Sequence, residues 1–585
     1  MRPAEMEGKQ ASLIHWSDWS DDAFERAKRE SKPVLLDISA VWCHWCHRLD
    51  QDTYSVPDIA EYVEANFVPI RVDTDKRPDI NRRYNLGGWP TTAFLTPEGR
   101  LIGGGTYLPP EQMRQVLRDV RSSWQKVQNK PASELPPEPA HQAPGELTLG
   151  IVDEILGEVA NNFDPLYGGF GSQPKFPQTE AQELALMRYH YSGNREVLAI
   201  ATVTLNNAGH GGTYDKEMGG FFRYSTTRDW SVPHFEKMCE DNAKWLRLYL
   251  HAYQSTTDEF YGTIVKGIID YVNAWLCDRQ QGCFYGSQDA DEEYYKLNNA
   301  ERLKREAPYV DKHIYTNWNA MMISAYLEAS FVFGDSAIRE FALKSLTRLL
   351  SLNYKDGQGM YHFHNGQPRL ENQLADQVQM ATTLIDAYEY TGEKKFLNQA
   401  ADLMKFASAR LRDPEHGGFF DTTPEANAPG LLSMPVKAFD ENSATARALT
   451  KLYHLTGDVS YQTLAREALA SFAQSYLSFG FIAADYALAV DTFLHEPTMI
   501  RIVGSKEKPE TKGLIAEAAR LYEPRKIIQL LDPEADAGEI AKNGFSSQGQ
   551  STAYVCVGTA CTAPITAPRE IAPSVQQMLS NRTMR

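Results

Sequence analysis

The sequence predicts a multidomain α/β plus all-α chain. It divides into a small α/β domain (1–128), a proline-rich linker (129–146), an (α/α)6 toroid of six helical hairpins (147–497) and a small α/β C-terminal segment (498–585). Three observations predict this. Strand and helix periods alternate through the first domain, with two cysteines at a strand–helix junction. Gly-Gly-Phe-like loops and short glycine turns then alternate between helical segments. Strand periodicity returns near Thr498.

In the first domain a helix over 21–30 precedes an apolar strand over 34–38. Cys43-His44-Trp45-Cys46 follows and opens the next helix. A helix over 58–67 places Ile59, Tyr62, Val63 and Phe67 on one face; a strand over 67–73 comes next. Gly87-Gly88-Trp89-Pro90 leads into a strand over 92–95, and 109–127 reads as a terminal helix. Two cysteines at this spacing share one helical turn. The first stands at the helix N-terminus, where free N–H groups and the dipole stabilise a thiolate. Cys43 is therefore the expected attacking sulfur and Cys46 the resolving one. Pro90 stands where a thioredoxin fold places a cis-proline beside its disulfide. Three other readings compete. Cys43 to His47 matches a haem-attachment pattern, which needs export. His44 and His47 beside the thiols suit zinc, although no second close Cys/His pair accompanies them. Two inert buried cysteines are the bland alternative.

Proline is dense from Pro131 to Pro144, which suits neither helix nor central strand. Beyond it, Gly-Gly-Phe stands at 168–170, 219–221 and 417–419, with degenerate copies at 282–284, 357–361 and 479–481. Turns at 192–194, 256–258, 333–335, 391–393 and 456–458 alternate with these loops. Six loops and five turns imply about twelve helices, the number that closes six hairpins into a ring. The loops would all lie at one end, before the inner helices, and line a funnel. An open solenoid is the alternative. In the tail, 499–503, 527–531 and 553–557 read as strands and 512–522 as a helix. Cys556 and Cys561 can pair with each other, pair with the N-terminal dithiol, or remain inert thiols.

Net charge is −17 over 585 residues, which disfavours nucleic acid as a partner. Seven cysteines are sparse for this length and suit a reducing compartment. The N-terminal residues lack a secretory h-region, and no apolar run is expected to reach transmembrane length. A cytoplasmic location, no membrane partner, no cofactor and no metal are expected.

The chain resembles the spermatogenesis-associated thioredoxin-like proteins. The resemblance rests on Cys43-His44-Trp45-Cys46-His47, Arg77-Pro78-Asp79-Ile80, Gly87-Gly88-Trp89-Pro90 and Gly104-Gly105-Thr106-Tyr107. In the barrel it rests on Gly168-Gly169-Phe170, Pro174-Lys175-Phe176-Pro177, Phe222-Arg223-Tyr224-Ser225, the run 232–238, Asp289-Ala290-Asp291 and Trp318-Asn319. It implies a thioredoxin-like domain joined to a six-hairpin, glycosidase-like barrel, and it covers nearly the whole chain. The sequence departs from the family pattern at Arg48-Leu49, at Cys239-Glu240 and in the Asn-Gln pair before Asp376.

Sugar chemistry needs carboxylates or histidine as acid and base, together with aromatic platforms. The catalytic candidates are Cys43 and Cys46 in the first domain and His234, Glu236, Asp289 and Asp291 in the barrel. Asp289 and Asp291 are two apart, so an extended segment puts both on one side. Trp45, Trp89 and Pro90 are the substrate-binding candidates at the dithiol. Those of the funnel are Lys175, Tyr224, Asp241, Trp318, Asn319, Asp376, Asn442 and Asp485. For each, a structural role is the alternative. The favoured expectation is a thiol–disulfide redox protein whose barrel binds or processes a carbohydrate-like ligand. Its partners would be a disulfide-bearing protein or a thiol reductant, and the carbohydrate. A sugar epimerase, isomerase or hydrolase with a regulatory N-terminal domain is the second reading. A non-catalytic binding platform is the third.

Overall fold

The computed structural model describes residues 13–127, 144–425, 427–545 and 549–583. Most of the predicted linker (129–146) lies outside the described residues. The chain forms two compact units. The first comprises 13–127 with 287–311 and 420–436, and the second comprises 144–286, 312–419 and 437–583.

The first unit is built on α1 (Asp21–Glu30), β1 (Val34–Ser39), α2 (His44–Leu49), α3 (Pro57–Asn66), β2 (Val68–Asp73), α4 (Pro78–Tyr84), β3 (Thr91–Leu95), β4 (Leu101–Gly105) and α5 (Pro110–Val127). The sheet runs β2-β1-β3-β4, with β1 parallel to β2 and antiparallel to β3. Alternate residues of β1 serve opposite faces, as the two-residue strand period requires. Val34, Leu36 and Ile38 pack with Phe24, Ile80 and Tyr84. Leu35 packs with Phe94, Val63 and Leu117 on the other side.

Residues 287–311 and 420–436, read from sequence as parts of the toroid, are built into this unit. Ser287 pairs with Asp311 across a short antiparallel ladder. Buried Arg83 makes a bidentate pair with Asp421 at 2.7 and 3.0 Å and also donates to the carbonyls of Leu431 and Met434. The Tyr84 hydroxyl accepts from Leu431 N and donates to Gly99 O.

The second unit holds the expected twelve helices. They are α6 (Leu149–Asn162), α7 (Thr179–Ser192), α8 (Arg195–His210), α9 (Cys239–Thr256), α10 (Glu259–Trp275), α11 (Thr316–Phe333), α12 (Ser336–Asn353), α13 (Leu374–Thr391), α14 (Lys394–Arg410), α15 (Phe439–Thr456), α16 (Val459–Ala470) and α17 (Ala484–Leu494). The inner helices pack in the closed order α7–α9–α11–α13–α15–α17 and back to α7. Each is backed by an outer helix, α17 by the N-terminal α6. This is a closed toroid, so the open solenoid is excluded. Against the expectation that no apolar run reaches transmembrane length, the segment Tyr476–Leu494 has the length and apolarity to cross a membrane by composition alone. Here it ends in α17, an inner helix of the ring.

One local device recurs through the ring. In four loops an aspartate carboxylate accepts from the backbone N–H groups two and three residues on: Asp164, Asp215, Asp278 and Asp413. Two left-handed residues complete the turn, both glycine except at Gly282-Cys283. At Gly219 (φ +78°) an added Cβ would stand 2.1 Å from the Gly267 carbonyl. Three of these loops, and the loop at Met360, are then clamped by the fourth residue of the following inner helix. Asn242, Asn319, Gln377 and Asn442 each accept from one backbone N–H, of Phe221, Phe284, Met360 and Phe419 respectively, and donate to the same residue's carbonyl.

The C-terminal segment contains β5 (Thr498–Val503), α18 (Pro509–Arg520), β6 (Lys526–Leu531), β7 (Thr552–Val557), β8 (Ala560–Cys561) and α19 (Ile571–Thr583). Its sheet order is β6-β5-β7-β8, with β5 parallel to β6 and antiparallel to β7. The first unit's sheet has the same order and the same strand senses. Cys556 and Cys561 face each other across β7 and β8 and are joined as a disulfide. The segment packs on α11, α13 and α15 at their C-terminal ends, and Ile528 N donates to Glu389.

Asn319→Ala leaves both backbone groups of Phe284 buried without partners. A loss of about 2–4 kcal/mol of unfolding free energy is expected in urea titration. A change below about 0.5 kcal/mol would show that the clamp does not hold the loop.

Candidate functional site

Cys43 is the N-cap of α2, and its backbone is extended (φ −87°, ψ 107°). The Cys46 N–H points at Cys43 Sγ at 3.1 Å, and the two sulfurs are joined as a disulfide. Both cysteines are buried. Trp89–Pro90 is a cis peptide. The Trp89 ring packs edge-on to Trp42 at 5.7 Å and donates to Asn81. Trp42 in turn donates to Asp75 at 2.6 Å. Trp45, 46 % exposed, stands against Tyr107 and offers an apolar surface beside the dithiol.

Beneath the first unit's sheet edge, Arg71 bridges Asp37 and Asp50 at 2.6 Å each and stacks on Trp16. Burial pushes the Asp37 carboxyl up to about 6 even though Arg71 favours its charged form. His47, one turn after Cys43, pairs through Nε2 with Asp289 at 3.2 Å, and its buried Nδ1 has no hydrogen-bond partner among the described residues.

Asp289 and Asp291, expected as a carboxylate pair, take separate partners. Asp289 takes His47 and Ala290 N, while Asp291 caps the one-turn helix Glu292–Tyr295.

In the second unit the structure brings together His234, Glu236 and Tyr224. His234 Nδ1 meets the buried Glu236 carboxylate at 2.7 Å. The imidazole stacks on Tyr224 at 5.0 Å, and Tyr224 stacks on the exposed Phe176 at 4.7 Å. Asp241 lies half-buried at the start of α9. Burial first, then neighbouring Glu240, pushes its carboxyl up to about 7.

The remaining barrel candidates have structural partners. Lys175 is fully buried, paired with Asp164 at 2.7 Å under the first Gly-Gly-Phe loop; Lys237 and Lys437 repeat this strut on Asp215 and Asp413. Trp318 packs on Tyr315. Asn319 and Asn442 are the loop clamps. Asp376 is fully buried, paired with His362 at 2.9 Å and accepting from Asn317 N. Asp485 pairs with Arg447. Among the described residues no group of three or more His, Cys, Asp or Glu is placed to hold a metal ion.

Sequence reasoning missed a cavity of about 310 Å³ inside the toroid, lined by inner helices and by 521–528 of the C-terminal segment. His251 sits there between Glu183 at 2.8 Å and Glu328 at 2.9 Å. Arg247 also pairs with Glu328, and Lys451 pairs with Glu389 at 2.7 Å. The signal was present in charged residues set inside apolar helices: Arg247 between Leu246 and Leu248, and Glu328 between Leu327 and Ala329. The three unpaired cysteines, Cys239, Cys277 and Cys283, are buried, and burial pushes their thiols up, to about 11 for Cys277.

Residues 6–135 match the family Thioredox_DsbH, a protein of unknown function (DUF255). Human spermatogenesis-associated protein 20 is 25 % identical over 95 % of this chain and 89 % of its own length. Thioredoxin of Alicyclobacillus acidocaldarius is 30 % identical over 17 % of this chain and 93 % of its own length. A D-mannose isomerase structure aligns with 60 % of this chain and 99 % of its own, at TM-score 0.48 and 13 % identity.

Glu183 and Glu328 raise the His251 imidazole to about 10 despite burial. A histidine raised on folding stabilises fully below its unfolded value near 6.5. That contribution fades as pH rises and is gone above about 10. Denaturant titration from pH 6 to 10 should show wild-type stability falling, with a shallower fall in His251→Gln. Parallel slopes in the two proteins would contradict the assignment.

Proposed function

Because the chain belongs to the spermatogenesis-associated thioredoxin-like family, we propose that it is a thiol–disulfide oxidoreductase working through Cys43 and Cys46. The carrying observation is the Cys46 N–H aimed at Cys43 Sγ at a helix N-terminus. That donor and the helix dipole favour a Cys43 thiolate once the pair is reduced. In the reducing direction the Cys43 thiolate attacks one sulfur of a substrate disulfide. A mixed disulfide forms and the first substrate thiolate leaves. Cys46, deprotonated, attacks Cys43 Sγ, closes the intramolecular disulfide and releases the second thiolate. Two electrons pass from the dithiol to the substrate. Trp45 and the Trp89–Pro90 segment supply the apolar surface against which a substrate chain rests.

The barrel, in this reading, binds or processes a carbohydrate-like ligand. The stacked Phe176, Tyr224 and His234 with Glu236 support it, as does the polar axial cavity.

Cys43→Ser is expected to bring reduction of insulin disulfides down to the uncatalysed rate. Cys46→Ser should accumulate a mixed disulfide on Cys43, seen by non-reducing mass spectrometry. Full exchange by Cys43→Ser would sink the redox role.

A further inference from the structure

The axial cavity has a polarity that its composition conceals. Acidic and basic residues are nearly balanced around it, yet they are not equally presented. The side chains of Arg247, Lys244, Arg447 and Lys451 are 39, 35, 34 and 29 % exposed. Those of Glu328, Asp386 and Glu389 are 9, 7 and 5 % exposed. These carboxylates lie behind the cations as counter-ions and hold their charge in place. Glu180, at 35 %, and Glu183, at 22 %, are the more open acids, held beside Lys244 and His251.

The cations also have a definite placement. Lys244 and Arg247 are three apart on α9, and Arg447 and Lys451 are four apart on α15, so each pair shares a helix face. In the ring order, α9 and α15 are three places apart in either direction. The two pairs thus face each other across the axis. Like charges so arranged oppose one another; burial also disfavours the Lys451 ammonium, but Glu389 and Asp386 outweigh both and raise its proton affinity, so it stays charged.

Their hydrogen-bonding capacity is not used up. Arg247 reaches Glu328 through Nε, and Arg447 reaches Asp485 through Nη1. The remaining guanidinium donors have no partner among the described residues. The same holds for the hydroxyls of Tyr390, which is nine-tenths buried, and of Tyr522, both lining the cavity. A cavity that offers spare donors from two sides calls for a ligand rich in acceptors and negative charge.

We propose that this cavity binds a small anionic sugar, one carrying a carboxylate or a phosphate, clamped between the cation pairs of α9 and α15. Tyr390 and Tyr522 then meet its hydroxyl groups, and the C-terminal segment forms the wall of the site through Tyr522. The inference rests on the reading of the barrel as a carbohydrate-binding module and names the class of its ligand.

The test is calorimetric titration of the full-length protein, at fixed ionic strength, with D-glucuronate, D-glucose 6-phosphate, inorganic phosphate and D-glucose. At least one of the two sugar anions should bind at least tenfold more tightly than glucose and than inorganic phosphate. Which of the two binds separates carboxylate from phosphate. Arg447→Gln and Arg247→Gln should each weaken that binding at least tenfold, and Arg447→Lys should restore part of it. The thermal midpoints of the unliganded variants, close to wild type, verify folding; if one variant unfolds, the other carries the test. Glucose bound as well as the anions, or sugar-anion binding unchanged in both Gln variants, overturns the anion clamp and leaves the barrel a carbohydrate module. Binding of inorganic phosphate alone overturns the sugar assignment. No binding of any probe overturns both readings.

Discussion

The closed ring depends on one repeated contact: a buried amide at the fourth position of an inner helix, paired with the backbone of the loop that delivers the chain to it. An outer helix must turn back toward the axis within a short loop, which leaves backbone N–H and C=O groups inside the protein. Left unpaired, each would cost about 1–3 kcal/mol. An asparagine or glutamine amide supplies a donor and an acceptor together and satisfies one residue's two groups at once. It also fixes the start of the inner helix against the loop. Aspartates cap four of the loops, and lysines paired with three of those aspartates hold the other half of the turn. Once these starts are set, the space between the six inner helices follows, and the C-terminal segment lies against their other ends.

The first unit depends on a helix start as well. Its small sheet brings the end of β1 to the N-terminus of α2, and the free N–H groups there face a sulfur instead of a capping oxygen. The same unit takes in two distant stretches of the chain. Arg83 with Asp421, and His47 with Asp289, join residues more than two hundred positions apart. Asp289 is drawn to the helix that carries the dithiol, where it pairs with His47.

The sequence was most readable where local geometry decides the residue. Cys43-His44-Trp45-Cys46, Pro90, the six loops and the five turns mark their elements directly, because each needs a particular side chain or a left-handed backbone. The polar residues near the inner-helix starts were legible as a group but not in role. Asn319, Asn442, Lys175 and Asp376 have the types expected of a binding site, and in the structure they satisfy buried backbone or pair with Asp164 and His362. Nothing local separates an amide that meets a ligand from one that meets a loop. Repetition does: Asn242, Asn319, Gln377 and Asn442 recur at one helical position, and a ligand seldom asks for that. The cavity residues were hidden for the opposite reason. Glu328, His251 and Lys451 meet only when six helices close, so their partners lie 60 or more positions away.

The central claim is that Cys43 and Cys46 form the chain's exchangeable dithiol. A glutathione redox titration with differential alkylation, read by mass spectrometry, tests it most directly. The account predicts that this pair cycles reversibly as a two-electron couple, while Cys239, Cys277 and Cys283 stay unlabelled in the folded protein. A Cys43–Cys46 pair that fails to exchange with glutathione across the titration, with the exchange found at the buried cysteines instead, would contradict it.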